Sequence, residues 1–284
     1  MIKKKILLTG STGFIGSYIL KNISNTSEIF IILRKKIKIQ KQKNLKIIVY
    51  KNFNDLNSKL KKIKIDVVIH CATHYVKNHS YSDIQKLTNS NILFGNIILE
   101  NLIKMNVKKF INLSTVWEDY NSIKDNNLNL YSVYKKSFSH IIDFYKKKFI
   151  NISFYNIMLS DTFGVEDKRN KIINVLKNNY KRSVYTKIIS KNLYLNLLSV
   201  EDIFDAVMLI VKNNIKSGQY LLKNRRDYKI EDIINSFNKF FKKKIKVHWI
   251  SSKIIRQKIY PYKKLNNWTP KKSQLKDILN IIKN

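Results

Sequence analysis

The strongest structural signal in the chain is the stretch Lys5-Ile-Leu-Leu-Thr-Gly-Ser-Thr-Gly-Phe-Ile-Gly16. A short apolar run ends in Gly10, Gly13 and Gly16, and a helical pattern of apolar residues follows. The order predicts a strand, a tight turn and a helix. Three of the chain's six glycines lie here. The first glycine allows a sharp bend, the second lets backbone approach a pyrophosphate, and the third lets the helix pack close to the strand.

The helix after this turn begins with free backbone N–H groups and the positive end of its dipole, which suit a phosphate. The context of strand, turn and helix therefore predicts a dinucleotide-binding turn. A tight turn that binds nothing is the alternative.

A second feature is Tyr131-Ser-Val-Tyr-Lys135, at the start of a helical pattern that extends to residue 149. Positions four apart share one face of a helix, so Tyr131 and Lys135 are predicted to face the same small volume. Tyrosine has an ordinary pKa of about 10, and a nearby ammonium group lowers it by stabilising the phenolate. Such a tyrosine can exchange a proton with a sugar hydroxyl during hydride transfer. The alternative is an amphipathic helix with a solvated lysine.

Two hydroxyl residues, Ser114 and Thr115, follow a predicted buried strand at residues 109–113. Open α/β sheets bind their ligands at the carboxyl ends of strands, so these hydroxyls are candidates for contact with a substrate. Ser and Thr are also ordinary turn formers, and this is the alternative.

Further motifs follow in an ordered series along the chain. They are Thr9-Gly-Ser-Thr-Gly-Phe-Ile-Gly16, Asp66-Val-Val-Ile-His-Cys-Ala-Thr73, Asn91, Leu159-Ser-Asp-Thr-Phe-Gly164 with Asp167-Lys-Arg169, Leu198-Ser-Val-Glu-Asp202 and Trp268-Thr-Pro270. With the features above they resemble the short-chain dehydrogenase/reductase superfamily, and more narrowly its extended branch, the NAD-dependent epimerase/dehydratase family of nucleotide-sugar enzymes. The resemblance covers nearly the whole chain. Residues 114–117 and 161–164 are similar to the CDP-abequose-synthase-like 4-ketosugar reductases of that branch.

The resemblance implies a set of site residues. Tyr131 is the expected proton donor, Lys135 lowers its pKa and holds the nicotinamide ribose, and Thr115, or else Ser114, binds the reacting oxygen. The expected cofactor contacts are Gly10, Thr12, Gly13, Phe14, Ile15, Gly16, Arg34, Cys71, Ala72, Thr73, Asn91 and Lys135. The expected substrate contacts are His74 with Tyr75, Ser114, Trp117, Asp161, Thr162, Arg169 and Arg256. No metal site is predicted.

The alternation of strand-like and helical patterns predicts an α/β fold, a doubly wound parallel sheet. Predicted strands are 29–33, 45–50, 67–71, 110–113 and 152–159, and predicted helices are 14–24, 55–63, 82–105 and 131–149. We expect a dinucleotide-binding Rossmann domain at residues 1–160. Residues 161–284 are expected to form mainly a smaller substrate lobe, with some segments that return to the first domain.

Composition limits the partners. The net charge is +36, but only six of the 55 basic residues are arginine, and the lysines are spread over the whole chain. Arginine usually dominates surfaces that recognise phosphate or bases, so we expect no nucleic-acid partner. No apolar run approaches the length of a membrane span. Cys71 is the only cysteine, which excludes an internal disulfide and fits a cytoplasmic location.

The end of the second strand bears on the choice of cofactor. Folds that prefer NAD place Asp or Glu there to hold the ribose hydroxyls. This chain has Arg34-Lys-Lys36 instead, and Arg34 could grip a 2′-phosphate. NADP is therefore predicted over NAD, with a solvated basic loop as the alternative.

The reaction type follows from what surrounds Thr115. In the resembled dehydratases an acidic pair follows this threonine directly, whereas Val116 and Trp117 follow it here and Glu118 and Asp119 come later. Dehydration is therefore disfavoured. Arg34 favours a ketosugar reductase over an epimerase with tightly held NAD. The third alternative is a non-catalytic member of the fold, either an NADP-binding sensor or scaffold or a lysine-rich RNA binder.

Assembly is predicted from helices 82–105 and 131–149. Their apolar positions exceed what one buried face requires. In the resembled family this helix pair forms a dimer interface, so a homodimer is expected, with burial inside the same chain as the alternative.

Overall fold

A computed structural model describes residues 3–23, 27–37 and 44–284. The strands among them are β1 Lys5–Thr9, β2 Glu28–Leu33, β3 Leu45–Val49, β4 Val67–His70, β5 Lys109–Thr115, β6 Ser153–Leu159, β7 Asp161–Phe163, β8 Thr186–Ile188, β9 Leu193–Leu195, β10 Leu197–Ser199, β11 Gly218–Leu222, β12 Tyr228–Lys229, β13 Val247–Trp249, β14 Ile255–Arg256 and β15 Lys263–Lys264. The helices are α1 Phe14–Asn22, α2 Phe53–Leu60, α3 Tyr81–Thr88, α4 Phe94–Glu100, α5 Leu130–Lys148, α6 Ile172–Lys181, α7 Val200–Lys212, α8 Ile230–Phe241 and α9 Leu275–Lys283.

Eight strands form one sheet in the order β3-β2-β1-β4-β5-β6-β11-β15. Every pairing in it is parallel. The order reverses between β1 and β4, which is the topological switch point where doubly wound sheets bind ligands. The predicted fold class is confirmed.

Alternating side chains of the buried strands supply a core on each face of this sheet. In β1, Ile6 and Leu8 pack with α1 and α7, whereas Leu7 packs with residues of α2, α4 and α5 on the opposite face. Strands buried on both faces are nearly continuous apolar runs, which explains why the sequence shows them clearly.

The predicted helix at 82–105 differs from the structure in its end and its regularity. A π-helical turn at Asn89–Leu93 joins α3 to α4, and the helix ends at Glu100. Asn101 causes the end, because its buried side chain donates to the Ile97 carbonyl and to Asn57 Oδ1, both at 2.8 Å. Residue 24, the predicted end of the first helix, lies outside the described residues.

The later part of the chain contributes to two cores. Strands β11 and β15 extend the main sheet, and α7 packs on it beside α1. A separate apolar cluster joins α6, α8 and α9. Asp202 in the first turn of α7 ties the two parts together, because its carboxylate accepts from the backbone of Lys271 and Lys272. Among the described residues, no helix is both long and apolar enough to span a bilayer.

Candidate active site

A cleft of about 760 Å³ lies at the carboxyl ends of the central strands. Most of the predicted site residues line it, although they come from distant parts of the chain. They are Gly10, Thr12, Gly13, Phe14, Ile15, Gly16, Arg34, Cys71, Ala72, Thr73, Ser114, Thr115, Trp117, Tyr131, Asp161, Thr162 and Arg169.

Gly10 and residues 12–16 line one side of the cleft, and the turn formed by residues 10–16 is here called the glycine wall. Gly10 has a φ of +68°, and a Cβ there would lie 2.6 Å from the Ala72 nitrogen. A Cβ on Gly16 would lie 2.1 Å from the Gly10 carbonyl oxygen. The turn therefore requires glycine at both positions.

The glycine wall also has groups suited to a phosphate. Helix α1 begins after Gly13 without a side-chain cap. No cap side chain therefore accepts from the first N–H groups of the helix. Ser11 is buried, and its Oγ has no hydrogen-bond partner among the described residues. Unpaired donors at a helix N-terminus fit the diphosphate of a nicotinamide dinucleotide.

The end of β2 forms the adjacent part of the cleft. Arg34 lies there with Lys51, Asn52 and Phe53 from the region after β3. Asp161, at the far part of the cleft, is the one carboxylate residue among those that line it. Among the described residues, the end of β2 thus offers positive charge and no acid to ribose hydroxyls.

Tyr131 and Thr115, the two side chains expected to contact the reacting oxygen, line the same cleft as the glycine wall. Asn129 caps α5 by accepting from the Ser132 nitrogen at 3.0 Å, which sets Tyr131 in the first turn. The Tyr131 ring meets the Tyr75 ring edge-on, with centroids 5.1 Å apart. Burial raises the pKa of Tyr131, and a hydrogen bond with Thr73 opposes that rise. The hydroxyl is therefore protonated at neutral pH.

Lys135 is buried and does not line the cleft. Its Nζ donates to the Leu113 carbonyl at 2.7 Å, and burial lowers its pKa to about 8. The expectation that Lys135 lowers the pKa of Tyr131 is not met in this arrangement. The physical reason is that burial of the phenol dominates, while the ammonium group interacts with Glu118 and Cys71.

Asn91 and His74, two other predicted contacts, also do not line the cleft. Asn91 Oδ1 accepts from the His74 nitrogen at 2.6 Å and from Thr73 Oγ1 at 3.2 Å. His74 Nε2 lies 3.4 Å from Asp83. Asn91 therefore shapes the loop that presents Thr73 and Tyr75 to the cleft.

The acidic residues after Thr115 turn into the protein. Glu118 and Asp119 are both buried and do not line the cleft. Glu118 accepts from Ser114 and Ser139, and Asp119 accepts from Lys136 at 2.9 Å and from Tyr262. This orientation is opposite to that needed for an acidic pair beside the reacting sugar.

The far part of the cleft, here called the aromatic wall, consists of Tyr75, Trp117, Asp161 and Lys171. Lys171 Nζ lies 4.3 Å from the Trp117 ring centre, 5.0 Å from that of Tyr75 and 3.6 Å from Asp161. Burial lowers its pKa, and the Asp161 charge opposes this. Sequence reasoning missed Lys171, because nothing local separates it from the chain's many other lysines.

Arg169 packs on the glycine wall. Its guanidinium stacks 4.3 Å above the Phe14 ring and donates to Asp167 at 2.7 Å and Thr162 at 2.8 Å. Arg256 lies outside the cleft, where it stacks 3.7 Å above Tyr194 and faces Asp227.

Two neighbouring groups on β4 and after it are inert. Burial lowers the pKa of His70 to about 3, and its ring packs against Phe94, Phe110 and Phe138. Burial raises the pKa of Cys71 to about 12, so it remains a thiol.

Comparisons with known proteins agree with this geometry. The CDP-abequose synthase of Yersinia pseudotuberculosis is 27% identical over 218 residues, 76% of this chain and 75% of that protein. The fold matches the UDP-glucuronic acid 4-epimerase of Bacillus cereus in complex with NAD, with a TM-score of 0.80, 22% identity and coverage of 98% and 96%. It also matches the UDP-N-acetylglucosamine 4-epimerase of Methanobrevibacter ruminantium, with a TM-score of 0.82, 16% identity and coverage of 99% and 98%.

The family assignment rests on a family model that matches more than half of the chain. Residues 6–222, which include the glycine wall, Thr115, Tyr131 and Lys171, match the model of the NAD-dependent epimerase/dehydratase family. The chain belongs to that family.

Proposed function

We propose that the protein reduces the ketone of a nucleotide 4-ketosugar, with Tyr131 as the proton donor. The observation that carries this proposal is that Tyr131 and Thr115 share one cleft with the glycine wall, while Glu118 and Asp119 face the interior. A cleft without an acidic pair beside Thr115 suits hydride and proton transfer better than loss of water. The similarity to a CDP-abequose synthase supports a reductase and makes CDP sugars the first substrates to test.

The proposed cofactor is NADP, whose reduced form NADPH would supply the hydride when bound. The glycine wall and Ser11 would hold its diphosphate, and Arg34 would hold the 2′-phosphate. Thr73 and Ala72 would flank the nicotinamide side of the cleft. A structural neighbour in complex with NAD supports the same general site. The contact between Arg34 and a 2′-phosphate is proposed for this chain.

The chain's residues have separate roles in the proposed reaction. Thr115 donates a hydrogen bond to the ketone oxygen and so stabilises the negative charge that develops there. Tyr131 then transfers its proton to that oxygen, because burial keeps the phenol protonated at neutral pH. Lys135 holds the carbonyl of Leu113 and thereby joins α5 to the end of β5. Arg169, Asp161 and Thr162 are the proposed contacts for the nucleotide part of the substrate.

An epimerase that retains NAD is the second candidate, because the structural neighbours include two nucleotide-sugar 4-epimerases, one of them in complex with NAD. The deciding experiment is a screen of nucleotide 4-ketosugars, CDP-linked first, with the absorbance of NADPH and NADH as the readout. Stoichiometric oxidation of NADPH supports the reductase. Sugar interconversion without net cofactor oxidation would support the epimerase, and cofactor binding with neither reaction would support a scaffold.

A homodimer in a reducing, cytoplasmic compartment completes the proposal. Both segments of the predicted helix pair carry apolar side chains that are at least 40% exposed. They are Ile84 and Leu93 in the segment 82–105, and Val133 and Phe144 on α5. These side chains suit burial against a second copy. The net charge of +36 opposes association, so added salt should favour it. Sedimentation at low and moderate salt tests this, and a monomer at micromolar concentration in both would contradict it.

A further inference from the structure

Glu118 is a buried carboxylate that the proposed reaction does not use. It lies in the short 3₁₀ segment Val116–Ser122 after β5 and is 1% exposed. Its Oε1 accepts from Ser114 Oγ, and both of its oxygens accept from Ser139 Oγ on α5, at 3.1 and 2.9 Å. A buried acid that receives two hydroxyl donors is a device for orienting them.

Ser114 and Thr115 are adjacent and line the same cleft, but their hydrogen-bonding states differ. A serine hydroxyl has a single proton, and Ser114 gives it to Glu118. Thr115 Oγ1 instead accepts from the Trp117 nitrogen at 3.3 Å, and its proton has no acceptor among the described residues. Toward the cleft, Ser114 can only accept, whereas Thr115 can donate.

We infer that Glu118 is a positioning residue that holds the Ser114 proton and leaves Ser114 an acceptor toward the cleft while Thr115 can still donate, so that Thr115 binds a ketone oxygen and Ser114 binds a hydroxyl group of the same substrate. The substrate part of this inference rests on the proposed function. It assigns the reacting oxygen to Thr115, since a ketone oxygen needs a donor and Ser114 has none left to offer.

Burial and the surrounding groups together let Glu118 titrate near neutral pH. Burial raises its pKa to about 7, and the donors Ser114 and Ser139 and the ammonium groups of Lys135 and Lys136 oppose that rise. Tyr131 on α5 and Tyr262 from the segment before β15 also face this charge, and Asp119 is its neighbour in the chain. Below about pH 7 Glu118 is protonated, and its neutral carboxyl group no longer requires the Ser114 hydroxyl to donate to it.

Infrared spectroscopy can test the orientation without any substrate. The C=O stretch of protonated Glu118 is followed against pH and is identified by its loss in Glu118→Gln. Ser114→Ala should raise the pKa of Glu118, because it removes a donor to the ionised form. Ser139→Ala should do the same. An unchanged or lowered pKa in Ser114→Ala would overturn the inference, since it would mean that Ser114 does not donate to the carboxylate.

Kinetics with the ketosugar found in the screen test the substrate part. Ser114→Ala should raise KM about fivefold, the effect of one lost hydrogen bond, with little change in kcat. Thr115→Ala should lower kcat. Ser139→Ala should change neither value at a pH where Glu118 is ionised in both proteins, because Ser139 does not line the cleft, and it should move the rise in KM to higher pH. Wild-type KM should rise as pH falls through about 7, and this step should be absent in Glu118→Gln. A loss of kcat in Ser114→Ala equal to that in Thr115→Ala would contradict the assignment. If the infrared experiment gives the expected pKa shifts of Glu118 but no ketosugar is turned over, the proposed function is refuted. The orientation of the Ser114 hydroxyl by Glu118 is then still supported.

Discussion

The two walls of the cleft are built in different ways. The glycine wall is made of consecutive residues, and its shape depends on backbone packed too closely to admit a Cβ at Gly10 or Gly16. The aromatic wall brings together Tyr75, Trp117 and Lys171, which are far apart in the chain and are held by ring and charge contacts. The first wall should fail abruptly when it is changed, whereas the second should change gradually and mainly in its affinity for substrate.

The largest effect is expected in the glycine wall, at its last residue. In Gly16→Ala the new methyl group would collide with the Gly10 carbonyl oxygen, which cannot move without opening the turn. We expect loss of dinucleotide binding and about 1–3 kcal/mol of lost stability, measured by cofactor titration and thermal unfolding. Gly218→Ala is the matched control, because its Cβ would lie 3.7 Å from the Tyr220 ring. Normal cofactor affinity in Gly16→Ala would show that the turn is not the binding site.

Tyr131 lies between the walls, and its loss should affect chemistry alone. Tyr131→Phe keeps the ring contact with Tyr75 but removes the proton, so turnover should fall roughly 100-fold or more while cofactor affinity stays nearly unchanged. Single-turnover oxidation of NADPH measures this. Tyr134→Phe is the control, since Tyr134 bonds to Thr88 at the surface of the same helix. Wild-type turnover in Tyr131→Phe would remove Tyr131 from the mechanism.

Lys171 tests whether the aromatic wall binds substrate. Lys171→Gln removes the charge held between Trp117 and Tyr75, and we expect KM to rise about tenfold, with a smaller change in kcat, because an anionic substrate loses one charged contact. Steady-state kinetics decide it, with Lys168→Gln as the control on the exposed side of the same loop. A normal KM would make Lys171 a purely structural partner of Asp161.

The smallest effect is expected at Arg34, because this side chain is exposed and its ion pairs are screened by water. Arg34→Ala should weaken NADPH binding several-fold and leave NADH binding nearly unchanged, since only NADPH carries a 2′-phosphate for the guanidinium fork. Titration of both cofactors measures the difference, with Arg182→Ala as the control. Equal losses for the two cofactors would return the choice to NAD and favour the epimerase.

Local patterns were sufficient for most of the fold. The strand, turn and helix around Gly10, the parallel sheet and the α5 helix follow from apolar periodicity and glycine positions, because these act over a few residues. The predicted end of the 82–105 helix was wrong, since the buried amide of Asn101 bonds to Asn57, a partner 44 residues away. No local pattern contains that contact.

The sequence by itself determined the architecture, the family and the position of Tyr131 in the first turn of its helix. Only the tertiary structure decided which groups meet around it. It directed the ammonium group of Lys135 to the Leu113 carbonyl, turned Glu118 inward to Ser114, and placed Lys171 between two aromatic rings. The physical reason is that the pKa and hydrogen-bonding direction of a buried group depend on its desolvation and on the partners that packing brings to it, and these come from distant segments of the chain.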